Sequence, residues 1–532
     1  MIRPALMFKD RAVLQREKKI AVWGQADPGA QITVQVQGQS VSTVTDDKGN
    51  WKVFLAPLQV SFQETMTISD DHETLAFQDL MVGDVWLAGG QSNMEFHMRY
   101  DADVEDEKKV CKNPCIRFFD YPDVSFPGQI DMADYGKNYG FWRSCDAENL
   151  ERFSAVAYYC VKELQKKYQI PVGILGINWG GTSAMAWIPE EVAIENGDRH
   201  RIEAYHEGLN QMDLDAYDQR FMNDPMSFHT DLLGEPFSDL MMFGCSQEEF
   251  QQKIGEMMAA QGIDPSTIDP AAFMPQIGPK HEWRPAGVYE SMLLPCVPYG
   301  VRGVLWYQGC SDSDTEEDAK AYKTVFPALI RHWRELWNDE LPFLFVQLAP
   351  LDQWMDSVGT YYPITRQAQQ WTADHVPGTG MAVITDVGME WDIHPKKKQP
   401  VGYRLALLAE NYVYGDKDVL CEAPTLIRAE WLNGQLVLTF DHVGTGLSLA
   451  ETVPYGQRVG ADRLGGLQVF TEEGELDLSQ AKAVAQNDKV ILSGLPEGVK
   501  LVRVALARTG WYLVNLYNSA GIPARPAEVD ME

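Results

Sequence analysis

Asp84-Val85-Trp86-Leu87-Ala88-Gly89-Gly90-Gln91-Ser92-Asn93-Met94 is the stretch on which the reading of this 532-residue chain turns. Its first half is an apolar run closed by two glycines, the pattern of a strand buried on both faces of a parallel sheet. A serine just beyond such a strand holds its hydroxyl at the strand's carboxyl end. Small neighbours let an ester carbonyl approach, and the N-terminus of a following helix presents N–H groups to an oxyanion. The stretch is not the Gly-x-Ser-x-Gly elbow of α/β-hydrolases. A serine capping a helix from a glycine turn is the competing reading.

The buried-strand pattern recurs at Val172-Gly173-Ile174-Leu175-Gly176-Ile177, Gly303-Val304-Leu305-Trp306-Tyr307, Leu344-Phe345-Val346-Gln347-Leu348 and Gly380-Met381-Ala382-Val383-Ile384-Thr385. Helical periodicity lies between several of these runs, as over 153–167 and 319–337. Strands alternating with helices predict an α/β domain around a parallel sheet. Residues 1–78 instead alternate apolar and polar side chains between turns such as Asp27-Pro28-Gly29, which suits a small β-sandwich. Alternation returns after 425, in Leu436-Val437-Leu438-Thr439-Phe440 and Leu501-Val502-Arg503-Val504-Ala505-Leu506. Three domains are therefore expected: an N-terminal β-domain over 1–78, the α/β domain over 79–424 and a C-terminal β-domain over 425–532, in keeping with the length. The stretch from about 195 to 285, rich in Met, Asp, Glu and Pro, breaks the α/β rhythm and reads as an insertion with a helix over 247–262. A lid, an oligomer contact and a passive surface excursion are all open readings for it.

Lys and Arg number 45 against 76 Asp and Glu, a net charge of −31. That balance argues against nucleic acid, whose phosphates need a basic surface, and against an anionic membrane surface. No apolar run is long enough for a transmembrane helix, and the first ten residues do not form a signal-peptide core, so a cytoplasmic protein is expected. The eight cysteines (Cys111, Cys115, Cys145, Cys160, Cys245, Cys296, Cys310 and Cys421) are scattered without a disulfide framework or a zinc spacing and are expected to be reduced and mostly buried.

Three further motifs join the serine. Asp392-Ile393-His394-Pro395 offers a base that works at neutral pH with an acid two residues away; His97, close to Ser92 in sequence, competes as the base. Trp179-Gly180-Gly181-Thr182 follows a buried strand and can turn backbone N–H groups toward a ligand, or simply make a tight turn. Trp306-Tyr307-Gln308-Gly309 follows another strand, and a Gln amide can donate to an oxyanion. All four lie at the carboxyl ends of predicted strands or in the loops beyond, where open α/β sheets bind ligands. Asn93, Trp179 and Trp306 are the candidate substrate contacts; Trp and Tyr are plentiful in the chain, as in carbohydrate-handling proteins and equally in large β-rich cores.

Together these blocks resemble the sialate O-acetylesterase group of the SGNH hydrolase superfamily. The likeness extends to Val13-Leu14-Gln15-Arg16 and Ala21-Val22-Trp23-Gly24 near the start, to Lys398, Gly402 and Arg404 after the histidine, and to Asn515-Leu516-Tyr517-Asn518 and Gly521-Ile522-Pro523 near the end. The resemblance implies a three-layer α/β/α hydrolase domain flanked by β-sandwich-like domains. It implies a carbohydrate O-acetylesterase with Ser92 as nucleophile, His394 as base and Asp392 as orienting acid. The Ser92 N–H, a glycine N–H at Gly180 or Gly181 and the Gln308 side chain would hold the oxyanion. No metal or organic cofactor is implied. Two departures stand out: Cys310-Ser311-Asp312 replaces the group's usual Glu-Ser-Asn, and the Asp–His spacing is one residue shorter than is common in the superfamily. The expected partner is an O-acetylated sugar: sialic acid, or acetylated mannan or xylan fragments. Lys396, Lys397 and Lys398 are either a carboxylate-binding group or a solvated basic loop. A homo-oligomer is compatible with all of this. A non-catalytic carbohydrate-binding protein and a lipase or thioesterase on the same fold are the rival classes.

Overall fold

The computed structural model describes residues 1–132, 138–223, 233, 236–244, 247–260, 276–355, 357–496 and 498–532. It divides into two compact units. One comprises Met1–Leu305 with Pro327–Leu341, the other Trp306–Phe326 with Pro342–Glu532. This division differs from the three segments expected from sequence. The reason at the N-terminal side is one strand, Thr74–Gly90, whose 17 residues run through the expected boundary at 78/79 without a break.

That strand changes character along its length. Over 74–79 it is exposed or half-exposed, and from 80 to 90 every residue is buried. Its first part pairs antiparallel with Ser61–Ser69 and its middle parallel with Val13–Gln15. Its last part pairs parallel with Val172–Asn178, which pairs parallel in turn with Asn113–Asp120. An antiparallel sheet with one wet face tolerates alternation, whereas a parallel sheet covered on both faces needs a continuous apolar run. The sequence change at residue 80 follows that change of environment.

The N-terminal strands are amphipathic in the expected way. Asn50–Leu55 alternates exposed and buried residues, and pairs with Ile20–Gln25, which also pairs with Arg3–Pro4. Gln31–Val36 joins Gln39–Val44 and Ser61–Ser69. Asp84, fully buried, ties this part to the long strand. Its carboxylate accepts from Gln15 Nε2 at 2.9 Å and from Arg16 Nε and Nη2 at 3.0 and 3.1 Å, while Gln15 Oε1 accepts the Val85 N–H at 2.8 Å. The Gln15-Arg16 pair singled out in the sequence is therefore structural.

Within the insertion, helices span Arg199–Gln211, Leu214–Asn223, Pro236–Phe243 and Gln247–Ala260; the last covers most of the expected 247–262 helix, whose residues 261 and 262 lie outside the described residues. Asp239 accepts from Arg99 at 3.1 and 2.8 Å and from the Tyr100 hydroxyl at 2.9 Å, and the Phe243 ring packs on Tyr100 at 4.9 Å. The helix Pro236–Phe243 of the insertion is thus fastened to the segment just after Ser92.

In the second unit Phe343–Val346 pairs parallel with Thr379–Ala382, near the helices Tyr362–His375 and Gln399–Leu408. The C-terminal part holds two four-stranded sheets, which together enclose one apolar core including Leu436, Leu438, Val469, Val490, Val504 and Leu506. A buried Arg404–Asp386 pair, bidentate at 2.7 Å on both arms, receives the Tyr517 hydroxyl at 3.0 Å and binds these strands to the helix that follows His394. Asn515 donates to Ala450, Gly460 and Arg463 carbonyls, and Asn518 to Glu422 and His442 carbonyls. These late motif residues hold loops together.

The described cysteines form no disulfide with one another; six of them are buried and Cys115 is half-buried, and Cys245 lies outside the described residues. Among the described residues no helix is long and apolar enough to cross a membrane.

Removing the carboxylate from the buried Asp84 network leaves Arg16 and Gln15 facing an unpaired hole. Asp84→Ala is expected to lower the unfolding free energy by about 3 kcal/mol, read in urea melts of the two proteins.

Candidate active site

In the first unit Ser92 opens a four-residue helical turn, Ser92–Glu95, directly after the buried strand. The turn is possible because Gly90 takes φ +134°, which side chains other than hydrogen rarely allow. Ser92 keeps partial exposure while Gln91, Asn93 and Met94 around it are buried. The turn is braced from behind: the Ser154 hydroxyl donates to the Met94 carbonyl at 2.6 Å, and the same oxygen caps the helix Ala155–Tyr168 by accepting the Ala157 N–H.

The Trp179-Gly180-Gly181 turn meets Ser92. A methyl group placed on Gly180 would stand 3.3 Å from Ser92 Cβ and 3.3 Å from Glu95 Oε2. Only a glycine lets the two segments approach so closely without displacement. The Gly180 N–H donates to Glu95 Oε2 at 2.6 Å. That N–H was one of the expected oxyanion donors, and here it is directed to a carboxylate. Gly181 has φ +73° and lies under the Trp283 ring, whose Nε1 is 3.4 Å from the Gly180 carbonyl oxygen. Trp283 comes from the far end of the insertion, and no local sequence signal links it to the glycine pair.

Glu95 as a residue is partly exposed, yet its carboxyl end is enclosed by protein. Burial pushes it up to about 7, opposed by His97 and by the Gly180 N–H. His97, the sequence's alternative base, has Nε2 3.9 Å from Asp120 Oδ2, and Asp120 is itself held above its ordinary value by burial.

The second unit carries the other motif residues. Gln308 is fully buried, and its amide nitrogen donates to Asp312 Oδ2 at 2.5 Å. An amide nitrogen carries two hydrogens, so the contact to Asp312 fixes the direction of both. Gln369 Nε2 holds the Gln308 carbonyl at 3.1 Å. Trp306 is buried at 1% exposure between Phe326 and Phe343. It is a core ring, and the expectation that it offers a face to sugar is corrected accordingly. Trp179 remains half-buried and Asn93 is buried.

His394 is buried, and the half-buried Trp354 stands edge-on to its ring at 5.2 Å. Burial, then Lys396 and Lys398, hold the imidazole well below its ordinary value. It is neutral at pH 7, the state a base requires. Asp392 does not hydrogen-bond the ring: Nδ1 and Oδ1 are 3.8 Å apart. The carboxylate instead accepts the backbone N–H of His394 at 2.8 Å and pairs with Lys396 at 2.8 Å. The two-residue spacing explains this, since an Asp readily accepts the backbone N–H two positions on. Lys398 is fully buried, its ammonium 5.4 Å over the Tyr307 ring. Lys397 donates its backbone N–H to the Tyr455 hydroxyl. The side chains of Lys396 and Lys398 are therefore engaged within the loop rather than solvated.

The chain is similar to several known proteins. A family model described as carbohydrate esterase, sialic acid-specific acetylesterase, matches residues 278–401, a stretch that contains Gln308, Asp392 and His394. The chain is 28% identical to the sialate O-acetylesterase of Mus musculus over 465 residues, covering 81% of this chain and 77% of that one. It is 26% identical to the sialate O-acetylesterase of Homo sapiens over 477 residues, covering 82% and 76%. A solved structure of a carbohydrate acetylesterase from Xanthomonas citri matches over 100% of both chains at a TM-score of 0.70 and 26% identity.

The position of Asp392 yields a measurable consequence. Where an acid fixes the tautomer of a catalytic histidine, replacing Asp by Asn costs about 10⁴-fold in kcat. Here Asn can still accept the His394 N–H, so Asp392→Asn is expected to lower kcat by only about tenfold, in steady-state hydrolysis of 4-nitrophenyl acetate.

Proposed function

We propose that this chain, a sialate O-acetylesterase-like carboxylic ester hydrolase, removes O-acetyl groups from sugars, with Ser92 as nucleophile and His394 as base. The observation that carries this reading is the partly exposed Ser92 just beyond a buried strand, with the glycine turn at Gly180 packed closely against it. The SGNH-type three-layer architecture belongs to the same reading.

The chemistry runs in two halves. The Ser92 Oγ attacks the acetyl carbonyl carbon while neutral His394 takes its proton. The tetrahedral oxyanion collapses, the sugar oxygen leaves with the proton from His394, and acetyl-Ser92 remains. Water then attacks that ester, His394 takes a proton again, and acetate departs as Ser92 is restored. With the Gly180 N–H given to Glu95, the oxyanion donors in this reading are the Ser92 N–H, the Gly181 N–H and the Gln308 amide. Each such donor is worth about 10²–10³-fold in kcat. Asp392 serves by holding the loop that carries His394.

Trp179, Trp283 and Trp354 are half-buried rings near the motif residues, and Trp283 against the glycine turn is the one we assign to the sugar. Acetate release from O-acetylated sialic acids and from acetylated mannan or xylan oligosaccharides tests the reading. Ser92→Ala is expected to abolish release from whichever set is used, by at least about 10³-fold. Retained release would remove Ser92 from the mechanism, and activity rising from acetyl to octanoyl esters would indicate a lipase. Trp283→Ala is expected to raise KM for the acetylated sugar while leaving KM for ethyl acetate within about twofold, because that small ester has no ring to stack.

A further inference from the structure

Glu95 has no part in the esterase chemistry, yet it touches the turn beside the nucleophile. Four observations converge on it. It lies on the same four-residue turn as Ser92, with the Glu95 N–H bonded to Gln91 O and the Phe96 N–H to Ser92 O. Its Oε2 accepts the Gly180 N–H at 2.6 Å. The Gly180 α-carbon is close enough to Ser92 that an added methyl would contact Ser92 Cβ and Glu95 Oε2 alike. Two titratable groups face the carboxyl: His97 from the same segment and Asp120 from the end of strand Asn113–Asp120, with Arg143 and Arg152 acting on Asp120.

We propose that Glu95 is a positioning residue for Ser92, whose ionised carboxylate anchors the Gly180 turn against the nucleophile and whose protonation sets the acid limb of the activity profile. The inference rests on Ser92 being the nucleophile. A carboxylate accepts an amide N–H about twice as strongly as a neutral acceptor does. Protonation of Glu95 therefore loosens the Gly180 contact and with it the rotation of the turn that bears Ser92. Enclosure by protein, with Asp120 nearby, lifts the Glu95 carboxyl to about 7. His394 is held well below its ordinary value and is already neutral there. The two groups thus titrate in separate ranges, and loss of activity just below neutrality belongs to Glu95.

The test is the pH dependence of kcat and KM for 4-nitrophenyl acetate in the wild-type protein, Glu95→Gln and Ser92→Ala. Glutamine keeps an oxygen for the Gly180 N–H and does not titrate. The wild-type kcat is expected to fall with a slope of one proton below about pH 7. In Glu95→Gln that limb is expected to move down by at least one pH unit, with KM little changed. An unchanged limb in Glu95→Gln, while Ser92→Ala is inactive, overturns the role of Glu95 and leaves the serine reading standing. An active Ser92→Ala overturns both. Infrared difference spectra give a second readout that needs no turnover: a protonated carboxyl band should grow in Ser92→Ala protein as the pH falls through about 7, and be missing when Glu95→Gln is added. Absence of such a band in the Ser92→Ala protein overturns the proposal, even if Glu95→Gln folds poorly.

Discussion

Strand Thr74–Gly90 has to satisfy two solvents at once. Its first six residues sit at a sheet with a wet face, and its last eleven are enclosed on both sides. A strand that is one rigid element in both settings transmits the placement of its beginning to its end. Antiparallel pairing with Ser61–Ser69, parallel pairing with Val172–Asn178 and the buried Asp84–Arg16–Gln15 network all fix its register. A slip of one residue would turn the apolar set to the opposite face. Ser92 stands two residues beyond this element, so its position follows from pairings made far away in sequence.

The glycine turn at 180–181 and the Ser92 turn show how backbone geometry and electrostatics are joined. Close approach demands the missing Cβ at Gly180 and the positive φ at Gly181. The approach brings the Gly180 N–H to Glu95, and the enclosure that makes this bond short also makes the carboxylate costly to ionise. A strong hydrogen bond and a raised acid are two results of the same burial. At the other motif, burial acts in the opposite sense on His394, reinforced by Lys396 and Lys398, and keeps the imidazole neutral.

The motif residues divide by what they touch. Arg16, Asp84, Arg404, Asn515, Tyr517 and Asn518 are engaged with carbonyls, carboxylates and loops, and hold segments in place. Trp306 fills a core between phenylalanines. A single sequence shows these as sharply as it shows Ser92, because a motif marks a residue that cannot easily change and not the reason why. Lys396 and Lys398 illustrate the point: charge alone left a carboxylate site and a solvated loop both open, and their paired and buried positions depend on Asp392 and Tyr307.

The sequence by itself determined the kinds of element and their order: the buried strands, the helices between them, the flanking alternating segments and the serine, glycine, glutamine and histidine blocks at strand ends. These follow from hydrophobic period and turn residues, which act over a few neighbours. It also carried the family likeness that the comparisons support. The tertiary structure alone decided which groups share a hydrogen bond. Glu95 reaches Gly180 across 85 residues, Trp283 reaches Gly181 from the end of the insertion, and Asp392 spends its oxygens on a backbone N–H and a lysine. Such contacts depend on distances and directions set by packing, and no local pattern of residue types records them.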